Sequence, residues 1–134
     1  MNIQLTFNEI LGYMEDKFHV RPIVEVVDDQ TLSVSYKISR FLPTISVDIH
    51  IDSVSEDLIR LSYDCSSIVN GLLSGVVGFV QDRIPREQFE ISTDNKTVLV
   101  HLDKVEQLRK VLDVVVPTDI TFYSDSIVLS MDLA

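Results

Sequence analysis

Apolar and polar residues alternate with a period of two through much of the first half of the chain. At residues 32–38 and 45–51 every second side chain is aliphatic or aromatic, and the side chains between them are polar. An extended chain with this period has one apolar and one polar face, which is typical of an antiparallel strand with one side in solvent. The pattern therefore restricts the chain to folds that contain a half-exposed antiparallel sheet.

Further strands are predicted where shorter alternations lie between turn residues. These strands cover residues 24–26, 59–63, 89–91, 98–102, 120–122 and 127–131. The turns use Asp, Asn and Ser, whose side chains form hydrogen bonds with nearby backbone groups. Because short turns join consecutive strands, neighbours in the sequence are expected to pair as antiparallel hairpins.

Helices are predicted from their N-terminal caps and their apolar spacing. Thr6 and Glu9 have the spacing of a capping box, and the residues that follow predict a helix over residues 7–18. Asp103 and Glu106 have the same spacing and predict another helix, which Pro117 ends. An uncharged, apolar helix is predicted over residues 66–81.

The predicted element order is α-β-β-β-β-α-β-β-α-β-β. This order indicates an α+β fold with a mainly antiparallel sheet of about eight strands and two or three helices. The chain has 134 residues, enough to bury a core of its own without metal or disulfide. No linker or low-complexity stretch divides it, so residues 1–134 are expected to form a single globular domain.

The strong negative charge of the chain restricts its partners. The formal net charge is −10 at pH 7, and no cluster of Lys and Arg reverses the sign locally. Because such a surface repels phosphate groups, nucleic acid is excluded as a favourable partner, and anionic lipid is disfavoured in the same way. A basic partner or simple solubility fits this charge.

The expected compartment is the cytoplasm. The first residues lack the basic segment and the cleavage site of a signal peptide. No apolar run reaches the roughly 18–20 residues of a membrane span. Cys65 is the only cysteine, so the chain cannot form an internal disulfide, which fits a reducing compartment.

The most unusual segment is the predicted helix at residues 66–81. It has no charged residue and holds three of the four glycines of the chain. A glycine inside a helix costs about 1 kcal/mol relative to alanine, so this cluster indicates a packing requirement. The residues of this helix predicted to contact a ligand or a partner are Gly71, Leu72, Ser74, Gly75, Val76 and Gly78.

Three arrangements account for such a helix. It is buried inside its own chain, as helices that are apolar on all sides usually are, or it pairs with the same helix of a second copy. In the third arrangement it lines a pocket for an apolar ligand. Strand pairs that curl around an apolar, glycine-bearing helix resemble tubular lipid-binding domains, and this likeness lies in the pattern and in no sequence motif.

Asp48, His50 and Asp52 are the strongest candidates for a metal site. They alternate along one predicted strand and therefore share a face, and imidazole and carboxylate groups bind zinc and similar ions. A solvated sheet face with charge pairs between strands gives the same pattern. No metal ligand is therefore assigned.

No motif for catalysis, a nucleotide or a cofactor is present. The glycine spacing lacks the Lys-Ser/Thr pair of a phosphate-binding loop, so no catalytic residue and no cofactor is assigned. We expect a non-catalytic protein-interaction or self-association module, with a homodimer as one form. The alternative is a carrier for a small, lipid-like apolar molecule held between the sheet and helix 66–81. A third reading is a metal-assisted hydrolase that uses Asp48, His50 and Asp52.

Overall fold

The computed structural model of the protein describes residues 1–37, 40–41, 44–80 and 87–134, and the side chains at positions 18, 76–80 and 107 are outside this description. Within these ranges the chain has an α+β fold with nine strands in two antiparallel sheets. The predicted fold class is therefore confirmed. The strands form two sheets instead of one, and the additional strand lies at the N-terminus.

The strands are β1 (Asn2–Thr6), β2 (Ile23–Asp28), β3 (Thr31–Tyr36), β4 (Ile45–Ser55), β5 (Leu58–Asp64), β6 (Phe89–Ser92), β7 (Thr97–His101), β8 (Val115–Phe122) and β9 (Ser126–Leu133). The helices are α1 (Phe7–Phe18), α2 (Ser67–Val80) and the single turn α3 (Arg109–Leu112). None of the described helices is both long enough and apolar enough to cross a membrane.

The six-stranded sheet has the order β2-β3-β4-β5-β7-β6, and the three-stranded sheet has the order β1-β9-β8. All neighbouring strands pair antiparallel, as the short turns predict. Strand β1 was not predicted, because its pairing partner β9 lies at the other end of the chain. Leu5 of β1 is opposite Ile127 of β9.

Helix α1 begins where the capping box predicts. The Glu9 backbone N–H donates to Thr6 Oγ1 at 3.1 Å, and the Thr6 backbone N–H faces Glu9 Oε1 at 3.5 Å. These reciprocal bonds occupy backbone donors that have no partner inside the helix. The helix ends at Phe18, and His19 follows in the left-handed conformation with φ of 58°.

The helix predicted after Asp103 is wrong in length. Two 3-10 turns, Leu102–Lys104 and Glu106–Leu108, precede the short helix α3, and strand β8 already begins at Val115. Pro117 does not end a helix but is buried in β8 beside a bulge. Because β8 is an edge strand, a proline that lacks an N–H is tolerated there.

The two sheets pack against each other around Phe122. This side chain is 5% exposed and clusters with Leu32 and Ile51 of the six-stranded sheet. The Phe122 backbone N–H also donates to the Asp29 carbonyl oxygen at 2.7 Å, which joins the edge of the small sheet to the β2–β3 turn. Further apolar side chains around this cluster are partly buried: Phe7, Val24, Val26, Val54, Leu61, Ile120 and Ile127.

Replacing Phe122 with alanine should lower the free energy of unfolding by about 3–5 kcal/mol, because it leaves a cavity where the sheets meet. The neighbouring aromatic residue Tyr123 is 53% exposed, so Tyr123→Ala should change stability by no more than about 0.5 kcal/mol. Urea unfolding of the two variants measures both values. Equal losses would show that the sheets are not held together at Phe122.

Candidate functional site

An open apolar groove lies on the inner face of the six-stranded sheet, the face that also carries Leu32 and Ile51. Its volume is about 590 Å³. It extends across the five neighbouring strands β3, β4, β5, β7 and β6. At the usual spacing between strands, this width is about 19 Å. The lining residues are Val34, Tyr36, Ile45, Val47, Ile49, Leu61, Ser62, Tyr63, Leu73, Ile91 and Val98.

The groove exists because the three-stranded sheet covers only part of the length of strand β4. Ile51 and Val54, in the C-terminal half of β4, pack in the cluster around Phe122. Ile45, Val47 and Ile49, in the N-terminal half, keep the same inward alternation but line the groove. The three-stranded sheet thus covers one part of a continuous apolar face, and the other part remains accessible.

Helix α2 lies beside the groove and contributes Leu73 to its lining. On the described part of the helix, Val69, Asn70 and Leu73 are partly buried, which identifies the side turned toward the sheet. Ile68 and Leu72 are exposed on the other side. The described part of α2 is therefore packed on one side only.

A set of hydrogen bonds attaches the N-terminal part of α2 to the sheet. The Tyr63 hydroxyl donates to Asn70 Oδ1 at 3.0 Å, and Asn70 Nδ2 donates to the Thr93 carbonyl oxygen at 3.0 Å. The Val69 backbone N–H donates to Ser66 Oγ at 3.2 Å, so Ser66 caps the helix. Asn70 thus links α2 to the end of β5 and to the β6–β7 turn.

Tyr63 belongs both to this attachment and to the wall of the groove. Partial burial raises the pKa of the Tyr63 phenol above its ordinary value, and the neighbouring Cys65 and Asp94 act in the same direction. The neutral phenol is the form that donates to Asn70. The apolar surroundings therefore favour the protonation state on which the attachment of α2 depends.

None of the described residues predicted as the site lines the groove. Gly71, Leu72, Ser74 and Gly75 are exposed, and a Cβ atom at Gly71 or Gly75 would meet no described atom within 4 Å beyond the neighbouring residues and backbone of its own helix. Val76 and Gly78 belong to α2, but their side-chain positions lie outside the described residues. The role of these residues in an interface or a ligand site therefore remains a prediction.

Most of the groove was not predicted from the sequence. Apart from Leu73, every lining residue is in a strand, and the predicted ligand site between the sheet and helix 66–81 included none of these strand residues. The period-two pattern did identify the apolar ones as inward-facing, and it placed Ser62 on the polar face. It could not show which part of that face the small sheet leaves open.

Asp48, His50 and Asp52 lie on the outer face of β4, away from the groove. His50 Nδ1 is 2.9 Å from Thr31 Oγ1, and the Ser62 hydroxyl donates to Asp52 Oδ1 at 2.9 Å. Arg60 Nε is 3.7 Å from Asp52 Oδ2. In the described ranges no group of three His, Cys, Asp or Glu residues is arranged to hold a metal ion.

A smaller depression of about 470 Å³ lies on the outer face of β5, β6 and β7. Arg60, Glu90 and Thr97 are among its lining residues. His101 lies next to it, with Nε2 buried and 3.6 Å from Glu90 Oε1. Its mixed polar lining contrasts with the apolar groove on the opposite face of the same sheet.

Removal of the Tyr63 hydroxyl should weaken the attachment of α2. Tyr63→Phe leaves Asn70 Oδ1 without its donor, and we expect a loss of about 0.5–1.5 kcal/mol in unfolding free energy at neutral pH. Because folding raises the pKa of this phenol, its contribution is fully present below the unfolded pKa of about 10 and is lost as the pH rises through the folded pKa. Urea unfolding across this alkaline range should show the difference between the two proteins shrinking, whereas Tyr123→Phe should match the wild type throughout.

The chain was compared with protein-family models, with characterised proteins and with solved structures, and none of them matches it. The function of the chain is therefore inferred from its own structure, that is, from the groove, the outer-face residues and helix α2.

Proposed function

We propose that the chain binds a small, lipid-like apolar molecule in the groove between the six-stranded sheet and helix α2. The observation that carries the proposal is the groove itself, whose 590 Å³ volume is lined by aliphatic and tyrosine side chains and Ser62. Ligand pockets commonly measure about 300–1,000 Å³ and are mainly apolar. Water in such a groove gains few hydrogen bonds from the wall, so an apolar ligand displaces it favourably.

The lining restricts the chemistry of the bound part of the ligand. No charged side chain lines the described groove. A charge carried into it would lose its hydration without gaining a partner, which is costly in apolar surroundings. The ligand therefore places an uncharged, apolar body along the sheet. A polar end, where the ligand has one, stays at the rim, where Tyr36 is partly exposed.

The expected affinity comes from buried apolar area. Each methylene group that leaves water contributes about 0.8 kcal/mol, so two of them change the affinity by about tenfold. Longer ligands should therefore bind more tightly until they fill the length of the groove. This energy needs no chemical step, so the proposed role is that of a carrier or binding protein.

Filling the groove should remove binding. Val47 lies in the groove, and Val47→Phe places a phenyl ring in the space that the ligand would occupy. Val27→Phe is the matched control, because Val27 is 60% exposed on β2 and does not line the groove. Binding of the neutral fluorescent probe N-phenyl-1-naphthylamine should weaken at least about tenfold in Val47→Phe, or about 1.4 kcal/mol, and stay unchanged in Val27→Phe.

The probe is uncharged, so the net charge of the protein has no influence on its binding. Circular dichroism of both variants checks that the sheets are intact. The proposal fails when the wild-type protein does not bind the probe, or when Val47→Phe binds it as well as Val27→Phe does.

A further inference from the structure

The described lining of the groove includes three side-chain hydroxyls, and two of them are already bonded within the chain. The Tyr63 hydroxyl donates to Asn70 Oδ1, and the Ser62 hydroxyl donates to Asp52 Oδ1 on the outer face of the sheet. Tyr36 is 37% exposed, and its hydroxyl has no hydrogen-bond partner among the described residues. The donor left for a ligand is therefore at the place where β3 ends, the Tyr36 end of the groove.

Positive charge accompanies the Tyr36 end. Lys37 directly follows Tyr36, Arg40 comes three residues later, and both side chains are exposed. Neither forms an ion pair with a described residue. Residues 30–47 include β3 and the first residues of β4, and they contain no Asp or Glu, although the chain has 21 acidic residues. Lys and Arg lay their apolar stems along a surface and keep the charge in water, so both cations are free to receive an anionic group at this rim.

The part of the groove beside Tyr63 has the opposite character. Asp64 directly follows Tyr63, and Asp94 belongs to the β6–β7 turn, to which α2 is hydrogen-bonded beside Tyr63. Lys96 Nζ is 3.9 Å from Asp64 Oδ1, so this cation is already paired. An anionic group would therefore meet repulsion at the Tyr63 end and attraction at the Tyr36 end.

The two ends are far enough apart to act separately. Tyr36 is opposite Ile45 and Tyr63 is opposite Ile49, an offset along β4 of four residues, or about 13 Å. Exposed charges further apart than about 8 Å are largely screened at physiological ionic strength. A single anionic group at the Tyr36 end thus responds to the two local cations more than to the distant acids or the net charge of −10.

We propose that the ligand of the groove is a long-chain carboxylic acid, with its carboxylate at the Tyr36 end and its aliphatic chain directed across the sheet toward Ile91 and Val98. The ionised carboxylate accepts from the Tyr36 hydroxyl, and Lys37 and Arg40 balance its charge. The aliphatic chain meets only uncharged side chains in the described lining. Because the acid occupies the same groove, the proposal rests on the proposed function.

Two ligands with the same tail and opposite head groups test the proposal. The affinities of dodecanoate and dodecylammonium for the full chain are measured at neutral pH by displacement of N-phenyl-1-naphthylamine. Dodecanoate should bind at least about tenfold more tightly. The net charge of −10 favours the cation, so this preference can come only from local groups. Equal affinities, or tighter binding of dodecylammonium, overturn the proposal.

A double variant locates the preference. Lys37→Gln combined with Arg40→Gln should reduce the preference for dodecanoate over dodecylammonium at least about tenfold. Lys104→Gln combined with Lys110→Gln is the matched control, because it removes the same charge from exposed residues beyond β7 that do not line the groove. The control should keep the wild-type preference. Equal losses in the two double variants overturn the proposal, since net charge alone would then explain them.

Tyr36→Phe removes the hydroxyl and keeps the ring. It should weaken the binding of dodecanoate at least about threefold more than that of the neutral probe, because a hydrogen bond to a charged group is stronger than one to a neutral group. A wild type that binds the probe but does not prefer dodecanoate refutes the carboxylic acid alone. A wild type that does not bind the probe refutes the proposed function as well.

Discussion

The contact of Phe122 with Leu32 and Ile51 determines how the rest of the molecule is arranged. It places the three-stranded sheet over one part of the larger sheet, and the hydrogen bond from Phe122 to Asp29 sets the same edge against the β2–β3 turn. A sheet of three strands cannot cover one of six. An apolar surface therefore stays open on the inner face, next to the cluster that stabilises the fold.

The apolar composition of helix α2 predicts burial on all sides, but the described part of the helix is packed on one side only. Its described part is attached through Asn70 to Tyr63 and Thr93 and contributes Leu73 to the groove. The other side is exposed and uncharged. The described part of the helix thus separates two apolar surfaces, one that lines the groove and one that is exposed.

The parts of the fold that depend on local chemistry could be predicted from the sequence. The capping box at Thr6 and Glu9 defined helix α1, and the period-two alternation defined β3, β4 and β5. The parts that depend on distant contacts could not. Strand β1 forms only because β9 is beside it, and Val115 and Pro117 enter a strand because the core offers burial there. The groove belongs to this second class, since no local pattern shows which half of β4 the small sheet will cover.

We propose that the uncovered half of the inner face holds an apolar molecule. Native mass spectrometry of the protein, purified without detergent from its own cells, shows whether such a molecule is bound. We expect a reproducible adduct of an apolar molecule on the wild-type chain and on Val27→Phe, and no adduct on Val47→Phe. A wild-type chain that carries no adduct, or an adduct that Val47→Phe retains, would contradict it.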